Sequence, residues 1–258
     1  MADRPNILFI TTDQQRSDTI HAAGNGHIFT PHLDWLCRQG IRYSRCYTDC
    51  PVCMAARATI MTGLHAITTG LTCNAGHVLP MADNPTLAGL LTRHGYQTRA
   101  IGKMHFHPLR AHYGFEHMEL LHDYYRLAAK HPEWGVPMNH GLGQNEMQPA
   151  IATVDESHSL TRWTVARSID FLETRDSTRP FFLWTSFAKP HPPFDPGRNY
   201  WELYRDIDMP LPVYGDWSHS PDNVPAGFRE PSWSLNNVHT FTPAMLKAVK
   251  RAYYACIT

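Results

Sequence analysis

Asn6-Ile-Leu-Phe-Ile-Thr-Thr-Asp13 is an unbroken apolar run that ends in an acid. Continuous rather than alternating apolar residues suit a strand covered on both faces of a parallel sheet. Tyr96-Gln-Thr-Arg-Ala-Ile-Gly102 and Arg179-Pro-Phe-Phe-Leu-Trp-Thr-Ser-Phe187 read as further strands, with helical patterns between the three. That alternation predicts an α/β fold, an α/β/α sandwich around a mostly parallel sheet. Open sheets of this kind bind ligands at the carboxyl ends of their strands. Asp13, just past the first run, lies at such an end.

The helical patterns carry clear punctuation. In Thr30-Pro-His-Leu-Asp-Trp-Leu-Cys-Arg-Gln-Gly40, Thr30 can cap, Pro31 suits the first turn and Gly40 ends the helix, with Leu33, Leu36 and Cys37 as the buried stripe. Ile41 to Tyr47 alternates and reads as a strand; Asn84 to Gly95 reads as a helix closed by glycine. Asp155 to Glu173 reads as a helix with Leu160, Trp163, Val165, Ala166, Ile169 and Leu172 facing inward, and a last helix begins at Thr242-Pro243. Residues 106–150, rich in His, Pro and Gly, and residues 200–243, rich in Pro and aromatics, read as surface or lid excursions. At 258 residues the chain can bury one large core or two small ones.

Charge excludes one class of function. Lys+Arg and Asp+Glu number 23 each, so no general polyanion-binding surface is expected, and nucleic acid is not an expected partner. No apolar stretch is long enough to span a bilayer. The N-terminal run is short and lacks a small-residue cleavage site, so the chain as written reads as cytoplasmic, or periplasmic if a signal has been removed. Of six cysteines, Cys50 and Cys53 form a Cys-x-x-Cys, whose redox or zinc reading lacks the second pair a zinc ribbon needs. Cys37, Cys46, Cys73 and Cys256 read as reduced, mostly buried thiols.

The chemistry concentrates in Pro51-Val-Cys-Met-Ala-Ala-Arg-Ala-Thr-Ile-Met-Thr-Gly63. If a helix starts near Cys53, then Cys53 and Arg57 at i and i+4 share a face. Unpaired N–H groups and partial positive charge at that helix start favour a tetrahedral oxyanion beside a sulfur-bearing side chain.

Cys53-Met-Ala55-Ala-Arg57, followed by a run ending in Thr62-Gly63, resembles the Cys-x-Ala-x-Arg form of the type I sulfatase signature, in the alkaline-phosphatase superfamily. Gly102-Lys103-Met-His105 and Pro190-His191-Pro-Pro193 resemble two later motifs of that family, in the same order. The resemblance implies hydrolysis of a sulfate ester. Cys53 would be oxidised by a formylglycine-generating maturation enzyme. The hydrated aldehyde would attack sulfur and later expel sulfate. Arg57, Lys103, His105 and His191 would handle the substrate's charge and leaving group, with His107 and Lys189 as lesser candidates. Asp13, Gln14 and residue 53 would hold a divalent ion, Ca²⁺ before Mg²⁺ or Mn²⁺. Substrates would be small-molecule or saccharide sulfate esters.

Asp13-Gln14 departs from the family's frequent Asp-Asp and is similar to the phosphonate monoester hydrolase side of the superfamily, which makes phosphonate or phosphodiester hydrolysis the alternative. A non-catalytic anion-binding relative, with Cys53 still a thiol, is the reading from another class. The family's pattern continues with an Asp-His or Asp-Asn strand and a further Lys. Residues 1–258 are therefore expected to be the N-terminal part of a single catalytic domain.

Overall fold

Among the described residues four parallel strands make the sheet, in the order β1–β4–β2–β3: β1 Ile7–Thr11, β2 Gln97–Gly102, β3 His117–Leu120 and β4 Phe181–Ser186. The structure is a computed structural model and describes residues 4–74, 80–213 and 241–258. Its helices are α1 Pro31–Gln39, α2 Cys53–Thr62, α3 Ala66–Thr69, α4 Leu87–Arg93, α5 Leu121–Ala128, α6 Leu160–Thr174, α7 Arg198–Glu202 and α8 Pro243–Ile257. The chain divides into two compact units, one of Met1–Asp13, Arg42–Lys130 and Ser157–Ala188, the other of Gln14–Ile41, His131–Glu156 and Lys189–Thr258.

The first unit holds the sheet. Every residue of β4 is buried, as its uninterrupted apolar pattern requires of a central strand. Phe182 and Trp184 point to one face, where Met54, Ala55, Ala58 and Met61 of α2 pack with Ala100, Phe106 and Phe115. The small Ala55 and Ala58, each 1% exposed, belong to the same packed cluster as Trp184. Truncating Trp184, which is wholly buried, would cost about 3–5 kcal/mol. Leu183 and Phe181 point to the other face, against Phe171 and Leu172 of α6 and Ile101 of β2.

β1 departs from the expectation of a strand covered on both faces. Leu8 and Ile10 are each 50% exposed, while Ile7 and Phe9 pack against the core. β1 is an edge strand, and the main contacts of α6 are with β4 and β2, one strand further in.

The register sets up the site. Thr11 pairs with Ser186, and Ser186 pairs with Gly102, so the last residues of three strands form one row. Gly102 has a φ of 98°, and a Cβ there would lie 2.0 Å from the Ser186 carbonyl oxygen. Only glycine fits. Asp13 and Lys103 leave the sheet just past that row.

Several expectations need correction. Ile41 to Tyr47 is not a strand; Ile41, Tyr43 and Tyr47 are 81%, 76% and 85% exposed, because alternation without a partner strand forms no ladder. The buried residue of α1 is Asp34, which accepts from the Thr30 hydroxyl and the Ala22 N–H at 2.9 Å each, whereas Leu36 is 52% exposed. On α6 the buried residues are Thr164, Ser168 and Phe171, and Ile169 is 47% exposed. Residues 106–150 are no mere excursion, since they contain β3 and α5. Of the 200–243 stretch, residues 214–240 lie outside the described residues, and the part before them buries Tyr204 and Met209. All six cysteines are free, and Cys46 and Cys73 are exposed rather than buried.

In the second unit, Ile28, Phe194, Tyr204, Met209, Ala252, Tyr253, Tyr254 and Ala255 form the core. Its α8 is capped as read: the Thr242 hydroxyl accepts from the Met245 N–H at 3.2 Å, with Pro243 in the first turn. No described helix is long and apolar enough to cross a membrane.

Candidate active site

Asp13 is the centre of the site in the first unit. The residue is 8% exposed, and its carboxylate requires positive partners to be tolerated there. Lys103 Nζ lies 2.6 Å from Oδ2 and Arg57 Nη2 lies 3.5 Å from the same oxygen. Cys53 Sγ stands 3.7 Å from both carboxylate oxygens. The helical spacing therefore does what the sequence required: Cys53 and Arg57 rise from one face of α2 to meet a residue from the end of β1.

Arg57 is held on three sides. Nη1 donates to Ser186 Oγ at 3.0 Å, Nη2 faces Asp13, and the guanidinium carbon lies 5.8 Å from the Trp184 ring centroid. Burial draws its pKa below the ordinary arginine value, with Asp13 pulling the other way. Ser186 is wholly buried; besides taking the Arg57 bond it accepts from Thr11 Oγ1 at 3.0 Å and donates to the Lys103 carbonyl at 2.6 Å. The Lys103 N–H returns a bond to the Ser186 carbonyl at 2.8 Å. Ser186 was not singled out by sequence reasoning. The available signal was a hydroxyl residue closing an otherwise apolar strand, at the end where ligands bind.

α2 starts without help from its own N-cap, because Val52 has no side-chain acceptor. Asn74 supplies it from outside, its Oδ1 accepting the Met54 N–H at 3.0 Å. At the far end Gly63, with φ 71°, closes the helix as expected. Cys50 is a free thiol whose Sγ lies 3.6 Å from the Thr72 carbonyl oxygen. Burial, first, and Asp13 push the Cys53 thiol above its ordinary pKa, while Lys103 and Arg57 draw it down without winning. A thiol kept protonated is a poor nucleophile.

The remaining expected residues are placed as follows. His105 is exposed between buried Met104 and Phe106, with φ 53°. His107 is part-buried. Gln14 and His191 belong to the second unit. Gln14 is exposed and holds φ 66°. His191 is half-buried, and its Nδ1 donates to the Pro192 carbonyl at 2.8 Å, which makes Nε2 the basic nitrogen of the neutral ring. Lys189, a lesser candidate, staples that loop: it ion-pairs with Asp195 and donates to the Pro193 carbonyl at 2.6 Å. The other oxygen of Asp195 takes His140 Nε2 at 3.1 Å.

Asp13 and Gln14 bring oxygen donors, the kind that suit a hard divalent cation, though such ions take about six or more ligands. Among the described residues no group of three or more His, Cys, Asp or Glu is arranged to hold a metal ion.

A buried carboxylate is ringed by a cysteine, an arginine and a lysine at the carboxyl ends of a parallel sheet, an arrangement whose cations can neutralise an anion. The sulfatase family model matches residues 5–246, and the chain belongs to the sulfatase family. It is 34% identical to an arylsulfatase of Clostridium perfringens, over 99% of this chain and 56% of that protein. It is 29% identical to an N-acetylglucosamine-6-O-sulfatase of Bacteroides thetaiotaomicron, over 81% of this chain and 35% of that one. The chain thus spans about half or less of the length of these relatives. Among solved structures, a phosphonate monoester hydrolase of Agrobacterium radiobacter superposes with a TM-score of 0.80 at 24% identity, covering 98% of this chain and 56% of that one. That likeness shows that the two share a fold.

Proposed function

We propose that the chain carries the nucleophile and its charge-neutralising groups in an enzyme that hydrolyses sulfate esters. The observation that carries this reading is the Asp13 carboxylate with Cys53, Arg57 and Lys103 gathered on it. Oxidised to formylglycine by a maturation enzyme and hydrated, residue 53 would supply one hydroxyl to take the sulfuryl group and a second to release it. The raised pKa of the Cys53 thiol supports that reading, because a plain thiol at this position is poorly activated.

The chain's own residues have separable tasks. Asp13 orients the cations. Arg57, fixed by Ser186 and Trp184, presents positive charge beside residue 53. Lys103 adds a second cation, and the two together neutralise charge growing on sulfuryl oxygens. His105 would contact the same oxygens. His191, with Nε2 as its basic nitrogen, would serve the leaving-group oxygen. Asp13 and Gln14, with residue 53, would hold the family's divalent ion, Ca²⁺ in our reading, which would screen substrate charge. Substrates of this reading are small or saccharide sulfate esters, the relatives including a saccharide sulfatase by name. A second reading, phosphonate monoester hydrolysis, is favoured by Gln14 standing where a second carboxylate would otherwise add negative charge.

Mass spectrometry of the peptide containing residue 53, from a host with a maturation system that accepts Ala55, tests the proposal. Aldehyde in place of thiol is expected, and plain cysteine from a competent host would overturn the mechanism. Rates on an aryl sulfate and an aryl phosphonate, side by side, separate the two substrate classes.

A further inference from the structure

Within the second unit, the backbone just after β1 is held by a residue from α8. Tyr253 uses its single hydroxyl twice: it donates to the Gln14 carbonyl at 2.8 Å and accepts the Arg16 N–H at 2.8 Å. The two bonds bracket Gln15. Gln14 has φ 66°, a left-handed conformation that a non-glycine residue keeps only when its surroundings impose it. Tyr253 is 9% exposed and its ring stands edge-on to Phe194, with centroids 5.2 Å apart and planes at 70°. Phe194 lies three residues beyond His191, in the loop that Lys189 and Asp195 staple. One phenol therefore supports two segments, the turn of Gln14 and the base of the His191 loop.

We propose that Tyr253 is a positioning residue, whose hydroxyl fixes the backbone from which Gln14 reaches its ligand. The inference rests on the reading of Gln14 as a cation ligand. Tyr254, the next residue, serves as a control: its hydroxyl takes Asn25 Nδ2 at 3.0 Å rather than the Gln14 carbonyl or the Arg16 N–H.

The test compares the full chain with Tyr253→Phe and Tyr254→Phe, each of which keeps the ring and removes only the hydroxyl. The first readout is hydrogen exchange at the Arg16 amide. Exchange about tenfold faster is expected in Tyr253→Phe, the loss of one net hydrogen bond, and unchanged exchange in Tyr254→Phe. Equal exchange in all three, or equal acceleration in both variants, would overturn the proposal. The second readout is Ca²⁺ titration by calorimetry, with affinity falling roughly tenfold or less in Tyr253→Phe alone. Unaltered Ca²⁺ affinity in Tyr253→Phe would overturn the positioning role. A wild-type chain that takes up no Ca²⁺, Mg²⁺ or Mn²⁺ would overturn the cation reading of Gln14, while Arg16 exchange still decides what Tyr253 holds.

Discussion

Arg57 Nη1 donates to Ser186 Oγ at 3.0 Å, and Ser186 hands its own proton to the Lys103 carbonyl at 2.6 Å. A single wholly buried hydroxyl thus ties together the two cations that face Asp13. Ser186→Ala leaves an arginine N–H and a carbonyl without that partner at a site that excludes water. The expected cost is about 1–3 kcal/mol of stability, read from urea melts, with a fall in aryl sulfate turnover. A variant as stable and as active as the parent would show that Arg57 is held by Trp184 and Asp13 alone.

Cys53 gives a pH signature in unmodified protein. Its folded-state pKa is raised, by burial first, above the unfolded thiol value of about 8.5. Stability from the neutral thiol is therefore fully present below the unfolded value and is lost as pH rises through the folded one. Alkylation of Cys53 at pH 8, followed by peptide mass spectrometry, should lag behind that of exposed Cys46 and Cys73. Asp13 raises this pKa and Lys103 lowers it, so Asp13→Asn should speed alkylation and Lys103→Met should slow it. The reverse order would show that the charges do not act on the sulfur as placed.

Much of this was legible in the sequence, and the reasons are local. The buried strand Phe181 to Ser186 announces itself by continuous apolar character, and Cys53 and Arg57 by helical spacing with Gly63 as the stop. β3 was not legible: His117-Met-Glu-Leu120 is four residues long, two of them polar, and gains strand geometry only by pairing with β2. Ile41 to Tyr47 shows the opposite error, since alternation without a partner ladder leaves an exposed segment. Asp34 was invisible as a buried residue because apolar periodicity does not register a carboxylate satisfied by Thr30 and Ala22. Ser186 and Tyr253 needed long-range register, which no short window contains.

β3 carries a prediction of its own. Glu119 accepts from both Arg99 and Arg167, and its side chain is 14% exposed. Burial pushes its carboxyl up, but the hydrogen bonds from Arg167 and Arg99 outweigh that and hold it below the ordinary value. The folded pKa being depressed, this stability is present above the unfolded value of about 4.3 and is lost as pH falls through the folded one. Glu119→Gln should cost about 1–3 kcal/mol at pH 7, and the gap to the parent should close in acid. Thermal melts at pH 7 and pH 3 check this; a gap that persists at pH 3 would assign the loss to packing.

Arg57→Lys keeps the charge and tests the geometry. A guanidinium reaches Ser186 with one nitrogen and Asp13 with another while lying by the Trp184 ring. An ammonium is a single point on a flexible stem and cannot satisfy all three. It would also share Asp13 with Lys103, whose Nζ already stands 2.6 Å from Oδ2. Turnover of an aryl sulfate by the matured enzyme should fall about 100-fold or more, the scale of losing one preorganised electrostatic contact. The loss should appear mainly in kcat, because the misplaced charge matters most when sulfuryl oxygens gain negative charge. A drop confined to KM would instead place Arg57 in ground-state binding of the sulfate.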